Sequence, residues 1–230
     1  MSLREFIEDE FRLLTFRNPS DRVTENRWGY LALGLVCTWI AGIGRYWDNP
    51  RANWAQFLGL GSVAYVFCLA LVIWLLALPL RPQKWSYANV LVFITMTSPL
   101  AWLYAVPVER FMAPRDATLA NGWFLAIVAL WRVLLYVGFL KRSGLTGVAT
   151  MILGLLPLAL IVVALTALNL EHAVFELMGG IRKGTSSDGA YVVVILLSYL
   201  AVLSAPFLVL GYLGLIWRAI RKRRLVERDS

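Results

Sequence analysis

The chain has one histidine, two cysteines and no aspartate or glutamate within any of its long apolar runs. Each scarcity removes a class of chemistry. A lone His172 leaves no base for a serine or cysteine nucleophile, and it supplies too few ligands for zinc, which takes three or four protein donors. His172 and Glu176 stand four residues apart, but the surrounding segment is not an H-E-x-x-H helix and reads as an interfacial loop. Cys37 and Cys68 both fall inside apolar runs, where a thiol behaves as a small apolar group, so no disulfide framework is expected. The missing acids exclude intramembrane aspartyl proteolysis, which needs two buried aspartates. They also disfavour proton- or sodium-coupled transport, which uses carboxylates or unwound carbonyls at depth. Gly59-Leu60-Gly61-Ser62 lacks the G-x-S-x-G spacing, and the basic glycine-rich stretch Gly179 to Gly189 lacks the G-x-x-x-x-G-K-[ST] of a phosphate loop. The reading is of a protein that is not an enzyme, with no cofactor and no metal.

Apolar surface is what the chain has in quantity. Hydrophobic residues make up 60% of it and the mean hydropathy is +0.68, against about 45–50% apolar in soluble domains. Lipid is therefore the main solvent. The net charge of +8 does not point to nucleic acid, because six of the 22 Lys and Arg fall in residues 218–230, directly after an apolar run. That placement suits anionic lipid headgroups, with Arg218, Arg221, Lys222, Arg223 and Arg224 as the contact residues.

Six apolar runs are expected to span the membrane, near 28–47, 55–80, 86–107, 119–140, 145–170 and 190–217. Hydrocarbon offers no hydrogen-bond partners, so each can cross only as a helix. The expected fold class is an all-α, polytopic integral membrane helix bundle. Residues 1–27 form a cytoplasmic amphipathic segment, 28–217 the transmembrane domain and 218–230 a basic cytoplasmic tail. Fifteen Lys and Arg lie on the side of the two termini and the short turns at 81–85 and 141–144, against six on the other side. The positive-inside rule then makes both termini cytoplasmic. No cleavable signal peptide is expected in the first 27 residues. Residues 3–16 place Leu3, Phe6, Ile7, Phe11 and Leu14 on one face with Glu5, Glu8, Asp9 and Arg12 mostly opposite, a helix that either caps the bundle or anchors in the interface. The acidic run Glu8 to Glu10 favours the cap.

Four features stand inside the spans. Pro99, Pro157 and Pro206 are expected to kink their helices, since a helix-interior proline frees a carbonyl. Arg132 is the one ionisable residue well inside a run; with no intramembrane acid to pair with, it is either a structural donor to carbonyls, hydroxyls or water that snorkels toward the cytoplasmic end, or a contact for an anion or a lipid phosphate. Trp39, Trp74, Trp102 and Trp131 lie deep and are expected to pack helices. Small residues at four-residue steps, Gly34, Thr38 and Gly42 or Ala201 and Ala205, allow close helix approach, most simply within the chain. The hairpin 74–100 loosely echoes 131–158, each with a tryptophan, a basic turn and then Pro-Leu.

The segment from Ala129 to Thr146, ALWRVLLYVGFLKRSGLT, resembles bacterial members of the Yip1 family, in which a tryptophan opens the cytoplasmic half of a helix that ends in a basic segment followed by a Pro-containing helix. Asn18-Pro19-Ser20 is similar to the family's short Asn-Pro element, and Trp85-Ser86-Tyr87-Ala88 to Pro99 to its third helix. Arg132 stands where the family has a small polar residue, and the sixth helix is additional to the five of the eukaryotic members. The resemblance implies a bacterial inner (cytoplasmic) membrane location and no catalytic residues. Eukaryotic relatives are linked to Rab GTPases and vesicle formation, which implies a membrane-organising or protein-binding role. Two functions are thus expected: a non-enzymatic membrane scaffold or accessory subunit, with lipids, other membrane proteins or a second copy as partners; or a non-coupled transporter or lipid- or anion-handling protein that uses Arg132 and the proline-kinked helices.

Overall fold

The computed structural model describes residues 2–44, 46–47, 54–168 and 188–226, and among them every regular element is helical. The α-helices are α1 (Leu3–Leu14), α2 (Arg22–Glu25), α3 (Arg27–Gly44), α4 (Trp54–Phe57), α5 (Leu60–Ala77), α6 (Tyr87–Met96), α7 (Pro114–Arg142), α8 (Gly147–Ala167) and α9 (Asp188–Val226). Three 3₁₀ segments, Leu78–Leu80, Ser98–Ala105 and Val108–Arg110, extend or join them. Local chemistry marks the starts. The Ser2 hydroxyl accepts from Glu5 N while the Glu5 carboxylate accepts from Ser2 N, closing a capping box on α1; Ser86 caps α6 and Thr146 caps α8 through the amide three residues on.

Among the described residues five helical stretches are long and apolar enough to cross a membrane: Leu60–Leu80, Tyr87–Ala105, Leu119–Arg142, Gly147–Ala167 and Ser198–Lys222. The expected first span, α3, is not among them, because its 18 residues include Arg27 and four glycines. The second expected span starts five residues late, since Gly59 takes a left-handed φ of 65° that ends α4 and opens α5. The last is longer than expected. At 1.5 Å per residue, the 39 residues of α9 reach about 58 Å, well beyond ~30 Å of hydrocarbon.

The N-terminal segment and the two basic turns meet. Gln83 N donates to Ser143 O at 2.9 Å, joining turn to turn, and Arg142 Nη1 donates to Asn18 Oδ1 at 3.4 Å. Helix α9 passes the same region, where Tyr212 OH donates to Leu76 O at 2.7 Å. Near the opposite end, Trp47 Nε1 donates to Ala105 O and the Arg110 guanidinium lies over the Trp47 ring.

Helix α6 is the centre. Every residue from Val90 to Met96 is buried, and its span is 56% buried against 11–39% for the others. It packs on α3 and α5, and Phe93 stacks on Phe139 of α7 with ring centroids 4.3 Å apart. A second, smaller seam joins α8 and α9 through Ala159, Ala201 and Ala205. The small residues of α3 serve the same end: all three are buried, and a Cβ on Gly42 would sit 2.7 Å from Gly59 O and 2.8 Å from Gly59 Cα. Backbone cannot retreat as a side-chain tip can. Gly42→Val is expected to cost about 1–3 kcal/mol, whereas Gly138→Val, whose Cβ would meet nothing within 4 Å, should stay within about 0.5 kcal/mol; unfolding of the purified protein in mixed micelles measures both.

Candidate functional site

The third span does not run through as one α-helix. Pro99 has no N–H and its ring would clash with the carbonyl four residues back, so α6 stops at Met96 and the chain continues as the 3₁₀ segment Ser98–Ala105 with Pro99 in its first turn. Irregular backbone at this depth is tolerated only inside protein or along a cavity. Side chains complete the bonding. Thr97 N and Thr97 Oγ1 both donate to Ile94 O, at 3.2 and 2.7 Å, and Thr95 Oγ1 donates to Val92 O at 3.0 Å. Thr38 Oγ1 gives its proton to Gly34 O at 2.9 Å, so in the 2.6 Å contact between Thr38 and Ser98 the Ser98 hydroxyl is the donor.

Arg132 docks on this break. Its Nε donates to Thr97 Oγ1 at 3.2 Å, and among the described residues it forms no ion pair. Arg132 also lines a cavity of about 20 Å³ between α3, α5, the 3₁₀ segment and α7, whose polar wall is Thr38, Ser62, Tyr65 and Ser98. That is room for one or two waters or a monoatomic ion, and the hydroxyls supply the two to four partners such an occupant needs. A guanidinium keeps its charge at any accessible pH and carries five N–H donors, so one bond to Thr97 leaves most of its capacity for that occupant.

Of the residues picked out in the sequence, the fold brings Arg132 and the Pro99 break together. Pro157 lies buried in α8 and Pro206 exposed in α9, each within a continuous helix, so the two hairpins that look alike in sequence differ at their prolines. Arg218, Arg221, Lys222 and Arg224 are exposed along α9, with the Arg221 guanidinium 5.5 Å from the Trp217 ring centroid; Arg223 belongs to the same helix and its side chain lies outside the described residues. His172, Glu176 and the glycine-rich stretch from Gly179 through Ser187 lie outside them as well. The deep tryptophans do pack helices: Trp39, Trp102 and Trp131 donate to the carbonyls of Leu58, Cys37 and Leu14, and Trp74 meets Tyr87 edge to face. Of the cavity hydroxyls only Ser98 had a local signal, the stretch Thr95-Met96-Thr97-Ser98-Pro99 with three hydroxyls before a proline inside an apolar run; Thr38, Ser62 and Tyr65 are brought to the cavity by the packing of α3 and α5.

The acids of α1 correct a sequence expectation. Asp9 was read on the outer face, yet it is 1% exposed and Glu10 is 8% exposed, both turned into the bundle with Phe6 and Leu13, while Leu3, Ile7 and Phe11 face outward. Helical geometry explains it, since residues 6, 9, 10 and 13 share one stripe and 3, 7 and 11 another. Helix α1 packs on the bundle through one face and leaves an apolar stripe exposed on the next. Asp9 accepts from Ser20 N at 2.9 Å, Ser20 Oγ at 2.7 Å and Tyr30 OH at 2.6 Å. Burial acts to raise its carboxyl, but these bonds and the Arg22 charge outweigh it and hold the group below its ordinary value.

Set against protein-family models, curated proteins and solved structures, the chain finds no match in any of the three. The class defined by the fold is a helical protein with, among the described residues, five membrane-compatible stretches. The Asp9 latch yields a test. Its native carboxyl is depressed, so its contribution is complete above the unfolded value of ~3.9 and is lost as pH falls through the lower native value. Tyr30→Phe should weaken α1 docking by about 1.5–3 kcal/mol and move the acid release of α1 toward that ordinary value, read by hydrogen exchange of the α1 amides.

Proposed function

We propose that the protein is an integral membrane protein that holds a small anionic group against Arg132, where the central helix breaks. One observation carries the reading: a cation without an ionic partner among the described residues stands on the wall of a hydroxyl-lined cavity inside the bundle. Removing a charge from water costs several kcal/mol unless it is paired, so an anion entering the cavity recovers energy that the fold alone leaves unrecovered. The cavity has no acid in its lining, in keeping with non-coupled anion handling.

The topology proposed for this role has six crossings, with α3 as the first and both termini in the cytoplasm. The contacts joining Asn18, Gln83 and Ser143 to the basic turns support it, because they gather the basic segments at one end. A bacterial inner membrane and a likeness to the Yip1 family belong to the same proposal. Its runner-up, the scaffold or accessory subunit, draws on the outer face of α9, where Leu203, Phe207 and Leu210 are exposed together in a stripe that suits lipid or another membrane helix.

Arg132→Leu separates the two. Anion handling requires that, in proteoliposomes, the variant lose at least tenfold of the native halide flux, with unfolding in detergent unchanged or improved. If flux is the same in both proteins, Arg132 only donates a structural hydrogen bond to Thr97 and the scaffold reading stands.

A further inference from the structure

The buried face of α1 carries two neighbouring carboxylates in opposite circumstances. Asp9 has three donors. Glu10, with 8% of its surface exposed, has an Oε1 that no hydrogen-bond donor reaches. Among the described residues no ion pair reaches Glu10: Arg4 lies 3.0 Å from Glu8, Arg22 lies 3.4 Å from Glu5 and acts on Asp9, and Arg12 and Arg17 are exposed, away from the buried stripe. From α3, Cys37 feels the Glu10 charge and Tyr30 is committed to Asp9. From α7, the uncharged Trp131 donates to Leu14 O and stacks on Phe16 just beyond α1, and the buried Tyr136, in the same core cluster as Phe6 and Leu13, has a hydroxyl with no partner among the described residues.

We propose that Glu10 is a proton-binding site, occupied while α1 is docked on the bundle and emptied when α1 leaves it. An ionised carboxylate in this position would be buried with one oxygen unsatisfied and no cation beside it, whereas the neutral acid carries no charge to desolvate. Burial alone pushes the Glu10 carboxyl up to about 7. A raised native value means that the docked form retains a proton which the undocked form gives up from its ordinary carboxylate range onward. The Glu10 contribution to docking is therefore complete below that range, falls about tenfold per pH unit from it up to about pH 7, and is level above. The switch connects to the cavity. Trp131 Nε1 holds Leu14 O at 2.9 Å, and the next residue is Arg132, so release of α1 frees the turn of α7 that presents the guanidinium. The carboxylate that the spans themselves lack is supplied from the N-terminal helix. The assignment does not rest on the anion reading.

The test uses the full chain in lipid nanodiscs, titrated from about pH 5 to about pH 9 so that Asp9 stays ionised throughout. Isotope-edited infrared spectra should show a protonated-carboxyl band with a midpoint near pH 7, absent from Glu10→Gln and shifted but present in Glu10→Asp. Hydrogen exchange of the α1 amides, corrected for intrinsic rates, should rise with pH in the native chain and in Glu10→Asp and be flat in Glu10→Gln. A Glu10 carboxyl already ionised near the ordinary ~4.3, or equal pH dependence of α1 exchange in the native and Gln proteins, would overturn the assignment.

Discussion

Everything central to this bundle follows from a backbone that must be satisfied without water. Pro99 stops α6 in the middle of the most buried span, and the groups it frees have no solvent to turn to. The chain lines the break with hydroxyls: Thr95 and Thr97 of its own turn bond Val92 O and Ile94 O, and Thr38 of α3 meets the Ser98 hydroxyl. Those hydroxyls in turn give Arg132 something to bind. A charge that would be costly against hydrocarbon becomes tolerable against a polar break, and the break is tolerable because the central helix is enclosed on all sides. Proline, hydroxyl cluster and arginine are one feature, spread over three helices.

The N-terminal helix repeats the logic at the edge of the bundle. Its apolar stripe of Leu3, Ile7 and Phe11 is turned outward, and two of its acids, Asp9 and Glu10, are turned inward. Asp9 reaches Tyr30 and the Ser20 loop, which fixes how the chain reverses after α1. Trp131 holds the other end of the helix, so α1 touches α7 one residue from Arg132. Two regions that look separate along the chain are mechanically adjacent.

Much of the fold was legible because hydropathy needs no tertiary information. Long apolar runs read as helices, and Arg81 to Trp85 and Lys141 to Gly144 read as tight turns between antiparallel neighbours, as found. Where the reading failed, a competing local rule had won. Gly59 moved the start of α5 through a left-handed φ, and Pro99 ended α6 in a 3₁₀ segment. The local sequence does set Pro99 apart: Thr95, Thr97 and Ser98 precede it, against no hydroxyl in Leu153–Leu156 and Ser204 alone before Pro206. On α1, counting apolar residues by face assigned Asp9 to water, because it could not register that Tyr30, twenty-one positions later, offers a donor inside the bundle. The site was half visible: Arg132 by its isolation, its partners only once α3, α5 and α7 are brought around α6.

The account turns on whether the cavity at Arg132 receives an anion. The most direct measurement is an experimental structure of the protein in bromide, read for anomalous scattering. A bromide peak among Arg132, Ser62, Tyr65 and Ser98, with the guanidinium still on Thr97, is the predicted result. A bromide-free cavity with Arg132 turned away from the Thr97 break toward the headgroups would contradict it.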